Sequence, residues 1–201
     1  MQKTTHEIVG GITGVSALYL ASKNNIDISS LNACLFMTGA FVGSLIPDID
    51  HTQSTVGRKV PILSYPIAFI GKICSKSKFK FIKAIGKSCS HRGILHSGIL
   101  YAILTLLTYY MITEPIIKVL CLGLCCGCFS HLIADTFNPS GIPWLLPLTF
   151  KRFHIMKIST GSIWEKVFRF LAIVFLIYLI YLSKDIFLRD IVPYIQNILN
   201  N

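Results

Sequence analysis

Five apolar segments, each close to or at the length of a membrane-crossing helix, dominate this 201-residue chain. A transmembrane helix needs about 20 mainly apolar residues, with a range of about 17–25. The segments cover residues 8–21, 31–46, 95–112, 116–134 and 167–183. Soluble proteins carry roughly 25% charged residues, whereas this chain carries only 14%. The sequence therefore predicts an all-α, polytopic membrane bundle of about five transmembrane helices, forming a single domain over residues 1–201.

The basic residues are divided unevenly between the two ends of these helices. With five spans, the N-terminus and the two long loops, 47–93 and 135–164, share one side of the membrane. The other side carries only Lys23, Lys118, Lys184 and Arg189, so that 15 of the 19 Lys and Arg residues lie on the first side. Because cytoplasmic loops carry an excess of Lys and Arg, we expect the N-terminus and both long loops to be cytoplasmic. The same rule explains the net charge of +10 without a nucleic-acid partner.

The loop 47–93 has the character of a membrane-surface segment. A semi-apolar stretch, residues 61–73, overlaps a lysine run that extends from Lys72 to Lys87. Amphipathic segments of this kind lie in the membrane interface, and their basic residues attract anionic headgroups. We therefore expect an interfacial helix in this loop, and a second short one in the tail, 185–201. Within the apolar segments, glycines recur four residues apart, a spacing that lets membrane helices approach closely: Gly10/Gly14, Gly39/Gly43 and Gly123/Gly127.

Short polar islands rich in His and Asp interrupt the apolar sequence, and all of them fall at the predicted cytoplasmic ends of the helices. Ionisable groups at membrane depth are costly and are usually functional. Mixed imidazole and carboxylate ligation suits Zn, with Mn or Fe as alternatives. Since a zinc ion usually takes four ligands, this larger set favours two divalent ions. We predict that seven residues bind metal: His6, Asp50, His51, His91, His96, His131 and Asp135.

Two of these assignments compete with ordinary structural roles. His131 and Asp135 are four residues apart on a helix and share one face, so they form either a ligand pair or a buried hydrogen-bonded pair. His6, taken alone, is either a ligand or a polar anchor at the membrane interface. His154, in the second long loop, is expected to have no special role.

Three further residues are assigned catalytic roles around the metal: Arg92, Asp48 and Glu165. The guanidinium of Arg92 is suited to a bidentate contact with phosphate, although the positive-inside rule explains this residue equally well. Asp48 follows the second span, where a loop or supporting role competes with a direct one. Glu165 lies three residues after Ser162, and the two could instead form a capping box at the start of the last helix.

The order of these motifs resembles the YdjM family. An early His6 is followed by P-D-I-D-H at 47–51, H-R-G-x-x-H-S at 91–97 and S-H-x-x-A-D-x-x-x-P-x-G-x-P at 130–143, and Glu165 precedes the final span. The resemblance runs from His6 to Glu165 and departs from the family pattern in a long lysine-rich insert before His91. It implies a helical protein of the bacterial cytoplasmic (inner) membrane, described as a metal-dependent hydrolase, with a LexA-binding label in part of the family.

The order of the ligands is also distantly similar to zinc-dependent phospholipase C and nuclease P1, which hydrolyse phosphoesters. That similarity implies that His51, His131 and Asp135 are core zinc ligands, with Asp135 bridging two ions.

These observations predict a membrane-bound, metal-dependent hydrolase of phosphoesters in lipid or lipid-linked substrates, with its site on the cytoplasmic face. Two other classes compete with this prediction: a metal-ion transporter, and a regulatory scaffold that binds a protein partner. A transporter needs ligands at several depths, whereas these ligands lie at one face. A scaffold would tolerate loss of the metal ligands.

Overall fold

The computed structural model describes residues 1–26, 28–79, 82, 83, 86, 88, 89, 92–184, 196 and 199. These residues form seven α-helices: α1 (Lys3–Lys23), α2 (Ser30–Gly43), α3 (Thr55–Lys59), α4 (Pro61–Ser75), α5 (Gly98–Met111), α6 (Pro115–Thr136) and α7 (Ile163–Leu182). Two 3₁₀ helices, Ile46–Asp50 and Ile94–His96, follow α2 and precede α5. The described residues contain no strand, only a β-bridge between Ile142 and Phe153. The prediction of an all-α fold is confirmed.

Each of the five apolar segments folds as a helix: α1, α2, α5, α6 and α7. Among the described residues, two helices are long and apolar enough to cross a membrane: α6, and α2 extended through the 3₁₀ helix as Ser30–Asp50. Helix α5 begins later than predicted, because the Ser97 hydroxyl caps it by accepting a hydrogen bond from the Leu100 N–H. The stretch predicted to be interfacial forms α4. Of the predicted tail helix, only residues 196 and 199 are described.

Glycines bring the backbones of α2 and α6 together. A Cβ at Gly43 would lie 2.1 Å from the Leu124 carbonyl oxygen, and a Cβ at Gly127 would lie 2.1 Å from the Ala40 oxygen. Ordinary van der Waals contact begins near 3.4 Å, so no larger side chain fits at these positions. The four-residue glycine spacing is therefore a helix-packing feature, as the sequence indicated.

The remaining helices pack around this pair. Helix α1 contacts α2, α6 and α7, and α5 contacts α6. At one end of the bundle, this arrangement brings together the start of α1, the end of α2 and the end of α6.

Candidate metal centre

Four segments of the chain place His and Asp side chains at this end of the bundle. They are the start of α1, the 3₁₀ helix that follows α2, the 3₁₀ helix that precedes α5, and the last turns of α6. Five of the six side chains are buried, and Asp48 is half-buried. The six residues are His6, Asp48, Asp50, His96, His131 and Asp135.

Five of these side chains form two overlapping groups in which an ion could be held, and Asp50 lies beside His96. One group is His6, Asp48 and His131, and the other is His96, His131 and Asp135. Within each group, one potential ligand atom per residue lies within 4.8 Å of the others. The groups share His131, so they form one continuous cluster.

The ring of His131 is oriented by the backbone of α2. Its Nδ1 lies 2.7 Å from the Ser44 carbonyl oxygen, and since a carbonyl only accepts, Nδ1 carries the proton. This leaves Nε2, buried and without a hydrogen-bond partner, with its lone pair 3.8 Å from Asp48 Oδ1 and 3.9 Å from Asp135 Oδ2. Metal-binding histidines commonly have one nitrogen held by a backbone carbonyl in this way.

The ring of His6 stacks on that of His131, with centroids 3.8 Å apart and planes 9° from parallel. Both nitrogens of His6 are buried without a hydrogen-bond partner. His6 precedes the apolar segment of α1. Burial holds its pKa well below the ordinary value, and His131 lowers that pKa further while Asp135 opposes the change. The ring is therefore neutral, the form in which imidazole binds metal.

Asp135 occupies the middle of the cluster, and its two oxygens point to different partners. Oδ1 lies 3.5 Å from His6 Nε2 and 2.8 Å from the amino group of Met1. Oδ2 lies 3.8 Å from His96 Nε2 and 2.8 Å from Arg92 Nη2. Among the described residues of the cluster, Asp135 is thus the one carboxylate that lies close to both His6 and His96.

Asp50 and Arg92 connect the two 3₁₀ segments. Asp50 Oδ2 lies 3.2 Å from His96 Nδ1 and accepts a hydrogen bond of 3.1 Å from the Arg92 backbone N–H. Arg92 adopts φ of 60°, a left-handed conformation that is uncommon for a residue with a side chain. Its Nη1 donates to the Ser140 hydroxyl and to the Gly141 carbonyl. The guanidinium is therefore fixed beside Asp135.

A cavity of about 510 Å³ adjoins the cluster. Its wall includes Asp48, His51, Gln53, Arg92 and Asp135. The cavity is therefore large enough for a small phosphoester group, and it is lined by the carboxylates of Asp48 and Asp135 and by the guanidinium of Arg92.

Two predicted metal ligands among the described residues, Asp50 and His51, are not part of either group. His51 lines the cavity but lies outside both groups of described ligands. His91 lies outside the described residues. His154, which was expected to have no special role, is exposed.

Glu165 is buried beside the start of α1 instead of among the clustered ligands. Its carboxylate accepts hydrogen bonds from the Gln2 N–H at 2.5 Å, the Thr5 hydroxyl at 3.1 Å and the Gly161 N–H at 2.5 Å. Ser162 caps α7 by accepting from the Glu165 N–H, as a capping box predicts, but the Glu165 side chain binds Gly161 instead of Ser162. This geometry gives Glu165 a role in positioning α1, which carries His6.

Sequence reasoning missed the groups that orient the cluster. The Ser44 carbonyl acts through the backbone and has no side-chain signal. Ser140 and Gly141 lie in the N-P-S-G turn that follows α6. The closeness of this turn to His131 and Asp135 in the sequence was the one sign that it could contact the site.

The chain matches the model of a family described as YdjM inner membrane protein over residues 1–192. It is 32% identical to the uncharacterized protein YvsG of Bacillus subtilis over 167 residues, which are 83% of this chain and 86% of that protein. It is 31% identical to the inner membrane protein YdjM of Escherichia coli, and equally to that of Shigella flexneri, over 132 residues; these are 63% of this chain and 57% of those proteins. No solved structure matches.

The names of the family and of two relatives refer to the inner membrane, which supports a membrane location for this chain. Because the family match covers nearly the whole sequence, and the relative in Bacillus subtilis is similar over most of both chains, this chain belongs to the YdjM inner membrane protein family.

Proposed function

We propose that this protein is a metal-dependent hydrolase that cleaves phosphoesters in lipid or lipid-linked substrates at the inner membrane. One observation carries the proposal: three His and two Asp side chains form one continuous group of potential ligands beside a polar cavity, with a third carboxylate, Asp50, against His96. Burying ionisable groups is costly, and an apolar bundle does not need them for stability. A functional role accounts for that cost.

The side chains of the cluster fit a divalent metal ion. Imidazole nitrogens and carboxylate oxygens suit Zn, with Mn or Fe as alternatives. The buried Nε2 of His131 and both nitrogens of His6 have no hydrogen-bond partner, and buried polar atoms of this kind need an explanation. Coordination to a metal ion provides one.

The same arrangement supports a proposal of two ions. His131 has one nitrogen available, since its Nδ1–H is engaged by Ser44, and it would hold a single ion. Asp135 has two oxygens, one near His6 and the other near His96, and it would help to hold both ions. His6 would complete one site and His96 the other, and Asp48 lies beside His131.

The proposed chemistry divides between metal and protein. When bound, divalent ions lower the pKa of water toward neutrality and neutralise negative charge that develops on a phosphoryl group. Arg92 has five N–H donors, more than its contacts to Asp135, Ser140 and Gly141 require, and it would bind the phosphate. Asp48, half-buried on the cavity wall, would accept a proton as general base.

We also propose that the chain crosses the membrane five times, with its N-terminus and the metal centre on the cytoplasmic side. The excess of Lys and Arg in the loops 47–93 and 135–164 supports this orientation. The ends of α1, α2 and α6 that form the cluster all belong to that side, as the five-span order requires.

The test is metal content and phosphoester hydrolysis of the full chain purified in detergent. We expect about two equivalents of zinc or manganese per chain, as in paired-metal phosphoesterases. His131→Ala and Asp135→Asn should lose metal and turnover, whereas the matched control His154→Ala, at an exposed histidine, should retain both. Absence of metal in the unaltered protein after reconstitution with added ions would refute the proposal and favour a scaffold.

A further inference from the structure

Helix α4 has its large apolar side chains on the outside. Its buried positions are the small residues Ser64 and Gly71. In contrast, Ile62 is 85% exposed and Phe69 is 64% exposed. The surface helix of a soluble protein shows the reverse pattern, with its apolar face toward the core. The other large apolar side chains exposed on α4 are Leu63, Tyr65, Ile70 and Ile73.

This helix is attached to the segment that carries the metal ligands. Helix α4 packs against α3 and against the 3₁₀ helix Ile46–Asp50, which bears Asp48 and Asp50. The Ser64 hydroxyl donates to the Gly57 carbonyl of α3 at 2.7 Å. In the five-span order proposed above, α4 belongs to the loop 47–93 and lies on one side of the membrane.

A second exposed apolar surface flanks the centre. In the loop 145–157, Leu148 is 81% exposed and Ile155 is 71% exposed. This loop is fixed to the end of α6, because the Ile155 N–H donates to the Thr136 carbonyl at 2.9 Å. Thr136 directly follows Asp135, so this surface, like α4, is bound to a segment that supplies the cluster.

Exposed cations accompany both apolar surfaces. Lys72, Lys76 and Lys78 lie at and after the end of α4, and Lys151 and Arg152 lie in the loop. Apolar side chains combined with Lys and Arg bind membrane interfaces, and the cations favour anionic lipids. The two surfaces thus share the chemistry of a lipid-docking element.

We propose that α4 and the loop 145–157 form one docking surface for an anionic lipid leaflet, which holds the metal centre at the depth of the headgroup phosphates. This inference rests on the proposed hydrolase function in one respect: it identifies the substrate as the phosphoester of a membrane phospholipid. The cavity, with Arg92 and Asp135 in its wall, then receives a headgroup directly from the bilayer.

The docking surface is tested by photocrosslinking in the full-length protein. A benzophenone amino acid is introduced at Phe69, at Leu148 and, as the control, at Gln53, an exposed residue of the cavity wall. After reconstitution in phosphatidylcholine bilayers that contain phosphatidylglycerol, we expect adducts to lipid acyl chains at positions 69 and 148 but not at 53. The same labels are then irradiated in native membranes. Protein adducts there, or no lipid adducts in bilayers, would overturn the proposal.

The substrate class is tested separately with Phe69→Asp, which places a charge on the docking surface and leaves the metal centre unaltered. We expect at least a tenfold loss of phospholipid turnover in bilayers, with unchanged metal content and unchanged turnover of a short-chain, water-soluble phosphoester. Equal loss on both substrates would overturn the docking role. Lipid adducts in a protein that hydrolyses neither substrate would support docking and refute the hydrolase function.

Discussion

Replacing Gly127 by alanine should weaken metal binding although Gly127 is not a ligand. A Cβ at this position would lie 2.1 Å from the Ala40 carbonyl oxygen and 2.7 Å from the Ser44 nitrogen, whereas ordinary contact begins at 3.4 Å. To accommodate the methyl group, α2 must move away from α6 by about 1.3 Å, the difference between 3.4 and 2.1 Å. Ser44 directly follows α2 and would move with it, and the Ser44 carbonyl holds the His131 ring.

The size of the effect follows from that hydrogen bond. His131 Nδ1 lies 2.7 Å from the Ser44 oxygen, and a displacement of this size would extend the separation beyond the roughly 3.2 Å limit of a good hydrogen bond. Loss of such an orienting contact lowers metal affinity by about 10–100-fold. Overpacking costs about 1–3 kcal/mol, and the better helix propensity of alanine offsets roughly 1 kcal/mol of this. The net cost in stability is therefore about 0–2 kcal/mol, beside a loss of metal affinity that corresponds to about 1.4–2.7 kcal/mol.

The assay is zinc affinity by competition with a chelator, with thermal unfolding measured on the same detergent-purified sample. Gly11→Ala is the matched control, because a Cβ at Gly11 would lie 3.6 Å from the Leu176 side chain, an ordinary contact. It should retain full affinity. If Gly127→Ala also retained it, the connection from helix packing to the His131 ring would be refuted.

Two further substitutions separate substrate binding from positioning. Arg92→Lys should raise KM for a phosphoester roughly tenfold or more, since the planar, bidentate donor is lost, with metal content unchanged; an unaltered KM in steady-state kinetics would exclude phosphate binding by Arg92. Glu165→Gln weakens the acceptor for the Gln2 and Gly161 N–H groups and should destabilise the protein by about 1–3 kcal/mol, measured by chemical unfolding. Retention of bound metal in this variant would agree with a positioning role, whereas selective loss of metal from a protein of unchanged stability would make Glu165 a ligand.

Segment length and apolarity were sufficient to predict most of the fold. All five apolar segments are helical, and the glycine pairs of α2 and α6 face each other as their spacing indicated. The starting point of α5 was not predictable from apolarity. The first residues of the apolar segment belong to the preceding 3₁₀ helix, and Ser97 then caps α5. Local hydrogen bonding, not hydropathy, decides that boundary.

The clustering of the predicted side chains followed from the sequence where a helix fixed the relation between two residues, and less well where the chain turned. His131 and Asp135 share a face of α6 and enter the cluster together. Asp50 and His51 are neighbours where a 3₁₀ helix ends, and successive residues in such a helix point about 120° apart. Asp50 is accordingly buried against His96, while His51 lines the cavity. The sequence identified Asp50 and His51 as potential ligands, and the backbone at the end of the 3₁₀ helix determined that Asp50 faces the cluster.

The role assigned to Ser44 leads to one more prediction, since only its carbonyl is used at the cluster. The hydroxyl of Ser44 donates to the Phe41 carbonyl at 2.7 Å within α2, away from the His131 ring. Ser44→Ala keeps the backbone carbonyl and adds no atom that would push α2 away from α6. Zinc affinity, measured by chelator competition, should therefore stay within about twofold of the unaltered protein. Loss of the orienting contact itself would lower it by about 10–100-fold. A loss as large as that of Gly127→Ala would mean that the side chain, and not the backbone, supports the centre. Equal affinity, beside a loss in Gly127→Ala, would support control of the His131 orientation by the distance between α2 and α6.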